Sequence, residues 1–264
     1  MSLLDKCSEG ITLLTLNIID GILESQRIAR MHEFVRIHFS WIFIFSSLTE
    51  RIVEILSKLI VPRGLAIAVI MDGNRRYAKS AKISRKSGHM LGYKHMLQTL
   101  KYLKAIECKS VGLFAFGKKN YNRSPEEISD IMQIFESAFT ELETSNQREL
   151  KEKLAIVGDV SSMPSNIATH VKRINKDTGT KKSCFIFVSY SSIDEYVNTT
   201  TDGITVPFDI IMRPGGEKRL SDFLLCNAAS RSTISFMATK WPLMSSLHIL
   251  LSIMKYRLEK TLQS

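Results

Sequence analysis

The sequence is short of the features that assign a protein quickly. Its four cysteines, Cys7, Cys108, Cys184 and Cys226, lie far apart. No C-x-x-C pair exists, so a zinc site or a redox motif is unsupported. Cys184 sits in an apolar run and reads as a small core residue, and the whole pattern suggests a reduced, intracellular protein. No G-x-x-x-x-G-K-[ST] loop is present and no Rossmann fingerprint, which removes the two commonest glycine-rich phosphate loops. There is no cleavable signal with a basic start and a short apolar core, no internal repeat and no low-complexity tract. The stretch 37–49, IHFSWIFIFSSLT, is free of Asp, Glu, Lys and Arg, but it falls short of the roughly 20 residues a spanning helix needs. Its flanks are amphipathic. Two readings stay open: an interfacial membrane helix, favoured by Trp41 and basic neighbours, or a helix packed on the domain or a partner.

Acidic residues are also in deficit. Lys and Arg number 36 against 26 Asp and Glu, a formal net charge of +10. Such an excess favours polyanions: nucleic acid, anionic lipid or phosphorylated substrates. No aromatic residues interleave with the lysines and no nucleic-acid-binding motif appears, so nucleic acid ranks well below the other two. The hydrophobic share of 44% is ordinary for a folded domain with a sizeable core.

Residues 1–61 read as an N-terminal helical extension, closed by Pro62 and Gly64; residues 62–264 read as one domain. There the pattern alternates. Leu65–Met71 is a continuous apolar run, suited to a strand covered on both faces. His89–Ile106 repeats apolar residues at helical spacing. Val111–Phe116 is a second buried strand. Ser124-Pro125-Glu126-Glu127 is a helix start, with a capping serine, proline in the first turn and acids at the positive end of the dipole. Further strands are expected at Leu154–Val157, Cys184–Tyr190, Phe208–Met212 and Thr233–Met237, with helices at Pro164–Asn175 and Leu247–Leu262. Strand and helix in alternation imply an α/β fold with a mostly parallel central sheet flanked by helices. Ligands in such sheets bind outside the carboxyl ends of the strands, and three polar segments follow strand ends there: DGNRR, GKKNYNR and RPGGEKRLS.

In the first, Asp72 is a hard oxygen ligand suited to Mg²⁺, Gly73 lets the backbone approach a phosphate, and Arg76 carries a planar fork for phosphate oxygens. In the last, Gly215-Gly216 can present backbone N–H groups beside Arg213, Arg219 and Ser221, a plausible anion nest. Each segment also reads as a solvated polar turn. His89 at a helix start is either structural or a partner for a diphosphate. Asn120 and Arg123 lie beyond the second strand and can reach the same edge.

Taken in order, IMDGNRRYAK, the Gly88-His89 pair, AFGKKNYNRSPEEI, VGD at 157–159 and IIMRPGGEKRLSDFLL resemble the cis-prenyltransferase family, and the wording is closest to the eukaryotic dehydrodolichyl diphosphate synthase catalytic subunit. The likeness covers about residues 62–262. It implies Mg-dependent condensation of farnesyl diphosphate with isopentenyl diphosphate into a long-chain cis-polyprenyl diphosphate, in the dolichol branch. It implies catalytic roles for Asp72, Asn74 and His89, with Asp72 on the metal. It implies substrate binding by Gly73, Arg76, Arg85, Asn120, Arg123, Arg213, Arg219 and Ser221. The growing apolar chain needs a tunnel, for which Ile131, Met132, Phe135 and Phe139 are the candidates.

The sequence also departs from that pattern. The family usually reads AFSxEN; here Gly117 supplies no hydroxyl, and Lys119 replaces a glutamate. Ser232 stands where bacterial members carry a second metal-binding glutamate. The C-terminal R-x-G motif, supplied by the partner in two-subunit members, is not visible in the tail KYRLEKTLQS. The last departure implies a dimer with a Nogo-B-receptor-like subunit, and the eukaryotic resemblance implies a peripheral position on the cytoplasmic face of the endoplasmic reticulum membrane. The alternative is a non-catalytic or weakly active subunit of a heteromeric complex.

Overall fold

The apolar run after Leu65 forms β1 (Ala66–Ile70), every residue of which is buried. The protein is represented by a computed structural model that describes residues 3–38, 43–146, 148–176, 182–197 and 207–263. Five further strands complete one sheet: β2 (Ser110–Gly117), β3 (Leu154–Val157), β4 (Cys184–Tyr190), β5 (Ile210–Arg213) and β6 (Thr233–Phe236). Their order is β3-β4-β2-β1-β5-β6, and every pairing is parallel. From β1 the chain steps to β2 on one side and later to β5 on the other. The loops after β1 and β5 therefore diverge at a topological switch point, where ligand crevices form.

Alternation along the strands sorts their side chains onto two faces. Ile67, Val69 and Leu113 pack with Leu103, Trp241, Ile249 and Ile253, beneath the helices α5 (Arg85–Ala105) and α11 (Ser246–Gln263). Ile156, Ile186 and Val188 pack with Ile131, Phe139 and Ile167, under α6 (Pro125–Thr144) and α8 (Ser165–Lys176). The opposite face is aromatic: Phe114, Phe185, Phe187, Phe208 and Phe223.

The expected helix start at Ser124 is present, with its hydroxyl accepting from Glu127 N–H and Pro125 in the first turn. Helix α5 begins earlier than its apolar repeat, because the Ser84 hydroxyl accepts from Ser87 N–H at 3.0 Å and caps it. Short helices at Asn74–Ser80 (α4), Arg148–Lys153 (α7), Ser192–Val197 (α9) and Leu225–Ser230 (α10) carry too little periodicity to be read in advance.

The N-terminal helices α1 (Leu3–Glu24), α2 (Gln26–His38) and α3 (Phe43–Ile60) are packed on the sheet's helical layer. Ile19 and Leu23 join the same core cluster as Val61 and Leu65, and Ser57 shares a buried 2.6 Å hydrogen bond with Tyr102 on α5. Among the described residues no helix is long and apolar enough to cross a membrane. The side chains of 35–49, Trp41 included, lie outside the described residues, so the reading of that stretch as an interfacial helix rests on sequence.

Candidate active site

All the site residues named from the sequence, Asp72, Gly73, Asn74, Arg76, Arg85, His89, Asn120, Arg123, Arg213, Arg219 and Ser221, line one cavity of about 630 Å³ at the carboxyl ends of β1, β2 and β5. Asp72 is its centre. Arg213 donates to Asp72 Oδ2 at 2.8 Å, and Arg76 Nη2 lies 3.0 Å from Oδ1. Burial alone would raise this carboxyl's pKa. The hydrogen bond from Arg213 and the charge of Arg76 outweigh burial and hold it below the usual carboxylate range, so Asp72 is ionised at neutral pH. Arg213 is buried and also donates to Ser221 Oγ at 2.7 Å. It thereby ties the Asp72 carboxylate to the loop after β5.

Glycines set the close approaches. Gly73 has φ +117°, and a Cβ there would stand 2.9 Å from Lys240 Cβ. Gly215 has φ +103°, and its Cβ would meet Arg76 Nη2 at 2.8 Å. The N–H groups of Gly215 and Gly216 donate to the Thr239 and Met237 carbonyls, so the anion nest expected from this pair is not formed and the loop offers its side chains instead. The backbone at Ser221, Asp222 and Leu224 also lies in the left-handed region, which non-glycine residues enter at a cost.

A second charge cluster was not legible in the sequence. Glu127, which the helix-start reading placed as an acid serving the dipole, is buried behind the arginines that line the cavity. Arg123 Nη1 lies 3.0 Å from its carboxylate, and Arg75 Nη1 and Arg85 Nη1 lie 3.6 Å away. His89 Nε2 is 3.4 Å from Oε1, without a well-directed hydrogen bond. Burial, then the charge of Arg123, lower the His89 pKa despite Glu127, so the imidazole is neutral at pH 7. Asn74 Oδ1 is buried with no hydrogen-bond partner and lies against Gly92, where a Cβ would stand only 2.3 Å away. The absence of side chains at Gly88 and Gly92 is what lets α4 lie against α5.

Beneath the polar cavity lies an apolar one, sharing Met71, Asn74 and His89 at its mouth and continuing past Leu97, Phe135 and Phe139 to Leu142. Ile131, Phe135 and Phe139 line it as expected. Met132 does not; it is buried in the core with Phe116 and Ile156, and Ile134 lines the cavity instead.

The departures at 117–119 have a structural reading. Lys118 Nζ is held by Asp159 at 2.6 Å and Asp194 at 2.5 Å, so its charge is already partnered. A Cβ on Gly117 would stand 2.6 Å from Phe114 Cζ, and that ring is stacked on Phe223 at 4.6 Å. The phenyl ring fills the space a serine would need. Gly117→Ser is expected to destabilise the protein by about 1–3 kcal/mol through overpacking; an unchanged denaturation midpoint would disprove this account. Asn120 Oδ1 accepts from Gly117 N–H at 2.9 Å and fixes this turn. Ser232 hydrogen-bonds to the Phe208 and Asn227 carbonyls, next to the Ile210–Thr233 pair that opens β5 and β6, at the edge of the sheet away from Asp72.

Comparison with known proteins gives a consistent pattern. A family model described as "Putative undecaprenyl diphosphate synthase" matches residues 70–206 and 193–262. A subunit of the dehydrodolichyl diphosphate synthase complex of Saccharomyces cerevisiae is 28% identical over 257 residues, covering 85% of this chain and 74% of that protein. A tritrans,polycis-undecaprenyl-diphosphate synthase (geranylgeranyl-diphosphate specific) of Methanosarcina mazei is 28% identical over 251 residues, covering 82% and 84%. Among solved structures, a "probable undecaprenyl diphosphate synthase" from Campylobacter jejuni superposes with a TM-score of 0.58 at 24% identity, covering 74% of this chain and 96% of that one; at that identity it speaks for the fold.

Proposed function

Because the chain belongs to the undecaprenyl diphosphate synthase family of cis-prenyltransferases, we propose that it condenses farnesyl diphosphate with isopentenyl diphosphate and lengthens the product by cis units, in the dolichol branch. One observation carries this reading: two arginine-bearing loops meet at one ionised carboxylate, directly over an apolar cavity. A reaction joining two diphosphates and storing a growing hydrocarbon needs all three parts.

In this reading Arg76, Arg85, Arg123, Asn74 and Gly73 bind the allylic diphosphate, and His89 donates to it as a neutral imidazole. Arg219, Ser221 and Asn120 face the second diphosphate, while buried Arg213 orients Asp72 and Ser221. A single carboxylate beside a phosphate cavity suits Mg²⁺, which takes one or two carboxylates and completes its shell with substrate oxygens and water. Among the described residues no cluster of three or more His, Cys, Asp or Glu could hold a metal by protein ligands alone, so Asp72 would share the ion with the diphosphate. When bound, Mg²⁺ neutralises charge developing on the leaving group. The arginines do the same without proton transfer, and holding both reactants in register lowers the entropic barrier.

The hydroxyl absent at Gly117 favours a second reading, a weakly active subunit completed by a Nogo-B-receptor-like partner, and the yeast relative's own name as a subunit of a complex supports it. A peripheral position on the endoplasmic reticulum membrane is part of the proposal. It is supported by the exposed Ile11, Leu14, Met31, Phe34, Ile55 and Leu59 of the N-terminal helices. The test is incorporation of labelled isopentenyl diphosphate into butanol-extractable product with Mg²⁺, using farnesyl or geranylgeranyl diphosphate, with and without the partner. Product with farnesyl diphosphate that rises sharply on adding the partner is expected. High activity of the chain alone would dismiss the partner requirement, and no product in either case would leave the non-catalytic reading standing.

A further inference from the structure

The segment 237–241 is a strap behind both phosphate loops. Trp241 N–H donates to the Asp72 carbonyl at 2.9 Å, and Lys240 packs on Gly73. Gly215 N–H donates to the Thr239 carbonyl and Gly216 N–H to the Met237 carbonyl, both at 2.7 Å. The strap has no regular secondary structure beyond a short turn at Trp241–Leu243, so something else must fix its position.

What lies on its other side is the N-terminal segment. Leu23 at the end of α1 accepts from Ala238 N–H at 2.9 Å. Glu24 pairs with Lys218 of the β5 loop. Gln26 reaches Gly216 so closely that a Cβ there would meet its Nε2 at 2.9 Å. On α2, the buried Glu33 holds Lys240 Nζ with both carboxylate oxygens, each at 2.6 Å, and also takes the Ser80 hydroxyl of α4. Lys240 Nζ bonds to Ser80 Oγ as well, at 2.9 Å. The family match begins only at residue 70, so these braces come from outside it.

We propose that Glu33 is a positioning residue for the anion site: through Lys240 and Ser80 it fixes the strap and α4, and with them the Asp72–Gly73 and Gly215–Gly216 loops. This rests on the reading of that cavity as a diphosphate site. The physical case is that a buried ion pair contributes little net stability, since desolvating both charges consumes most of the attraction. It does impose one geometry. Here the geometry imposed is that of a lysine whose stem contacts Gly73 and whose neighbour bonds Asp72. Functional sites depend on such support, because displacements near 1 Å cost up to about a hundredfold.

The test compares two ligands on the full chain by calorimetry: Mg²⁺ with inorganic pyrophosphate for the polar cavity, and farnesol for the apolar one. E33Q is expected to weaken pyrophosphate binding about tenfold or more, with farnesol binding unchanged. Because E33Q leaves Lys240 without its carboxylate and can lose stability, E33M/K240M serves as the second variant. Replacing a buried pair by apolar residues is often neutral or stabilising, so this variant should fold and still bind pyrophosphate more weakly. Wild-type pyrophosphate affinity in either folded variant overturns the proposal, as does equal loss of both ligands, which marks a purely structural role. Failure of the wild-type chain to bind pyrophosphate overturns the anion-site reading, and this proposal with it.

Discussion

Asp72→Asn is expected to lower isopentenyl diphosphate incorporation by about 10²–10³-fold, the loss typical of removing one preorganised electrostatic group at a reacting centre. The substitution keeps the shape of the side chain, and its amide oxygen can still accept from Arg213, so the protein should fold. What disappears is the negative charge. In the proposed reaction that charge has two uses at once. Of the two carboxylates that line the cavity, Asp72 and Glu217, Glu217 is taken up by Arg76 and Arg219, so Asp72 is the one assigned to share a cation with a diphosphate. It is also the counter-charge for Arg213, whose side chain is 4% exposed. Without it, Arg213 becomes a nearly buried cation with no ionic partner, and its Nε already lacks a hydrogen bond. Titrating Mg²⁺ against rate gives the check. Wild-type protein should show saturable activation and D72N should show almost none. A variant that keeps near wild-type rates would remove Asp72 from the centre of the site.

Glu127→Gln is expected to destabilise the protein by about 3 kcal/mol, the lower range for breaking a buried ion pair, and to raise KM for the allylic diphosphate about tenfold. Two electrostatic effects oppose each other. Removing a negative charge makes the cavity more positive, which by itself favours an anion. It also leaves Arg75, Arg85 and Arg123 close together with no carboxylate between them, and like charges at that range drive exposed side chains apart. The second effect prevails. Arg75 and Arg85 are more than half exposed, so the gain in potential at a diphosphate is screened within about a Debye length of 10 Å, whereas the carboxylate they lose is buried and unscreened. KM for isopentenyl diphosphate should barely change, since Arg219 and Ser221 do not touch Glu127. Denaturation midpoints and separate KM values for the two substrates decide the matter. A lower allylic KM would show that Glu127 merely offsets charge.

Much of the scaffold was readable because it follows from local rules. The run through Ala66–Ile70 suited a strand covered on both faces, and Ser124-Pro125 carried the signals of a helix start. The order of strand and helix then forced a parallel sheet, and with it a crevice at the strand ends. The site residues within DGNRR and RPGGEKRLS were reached through the family resemblance, with each motif sitting within a few residues of a strand end. Met132 was misplaced because the helical repeat shows which side of a helix is apolar, not which apolar position meets a cavity and which meets the sheet.

The sequence by itself therefore determined the class of fold and the strand-end edge at which its polar motifs gather. Only the tertiary structure decided what supports those motifs. Glu127 meets Arg75, Arg85 and His89 across α4, α5 and α6, and Glu33 meets Lys240 across more than 200 residues of chain. Neither meeting has a period or a spacing that a sequence could display. Charged side chains are long and their pairings are set by how helices approach, here by the space left at Gly88 and Gly92. Backbone periodicity is written in neighbouring residues, whereas the partner of a buried charge is fixed only once the packing has brought it there.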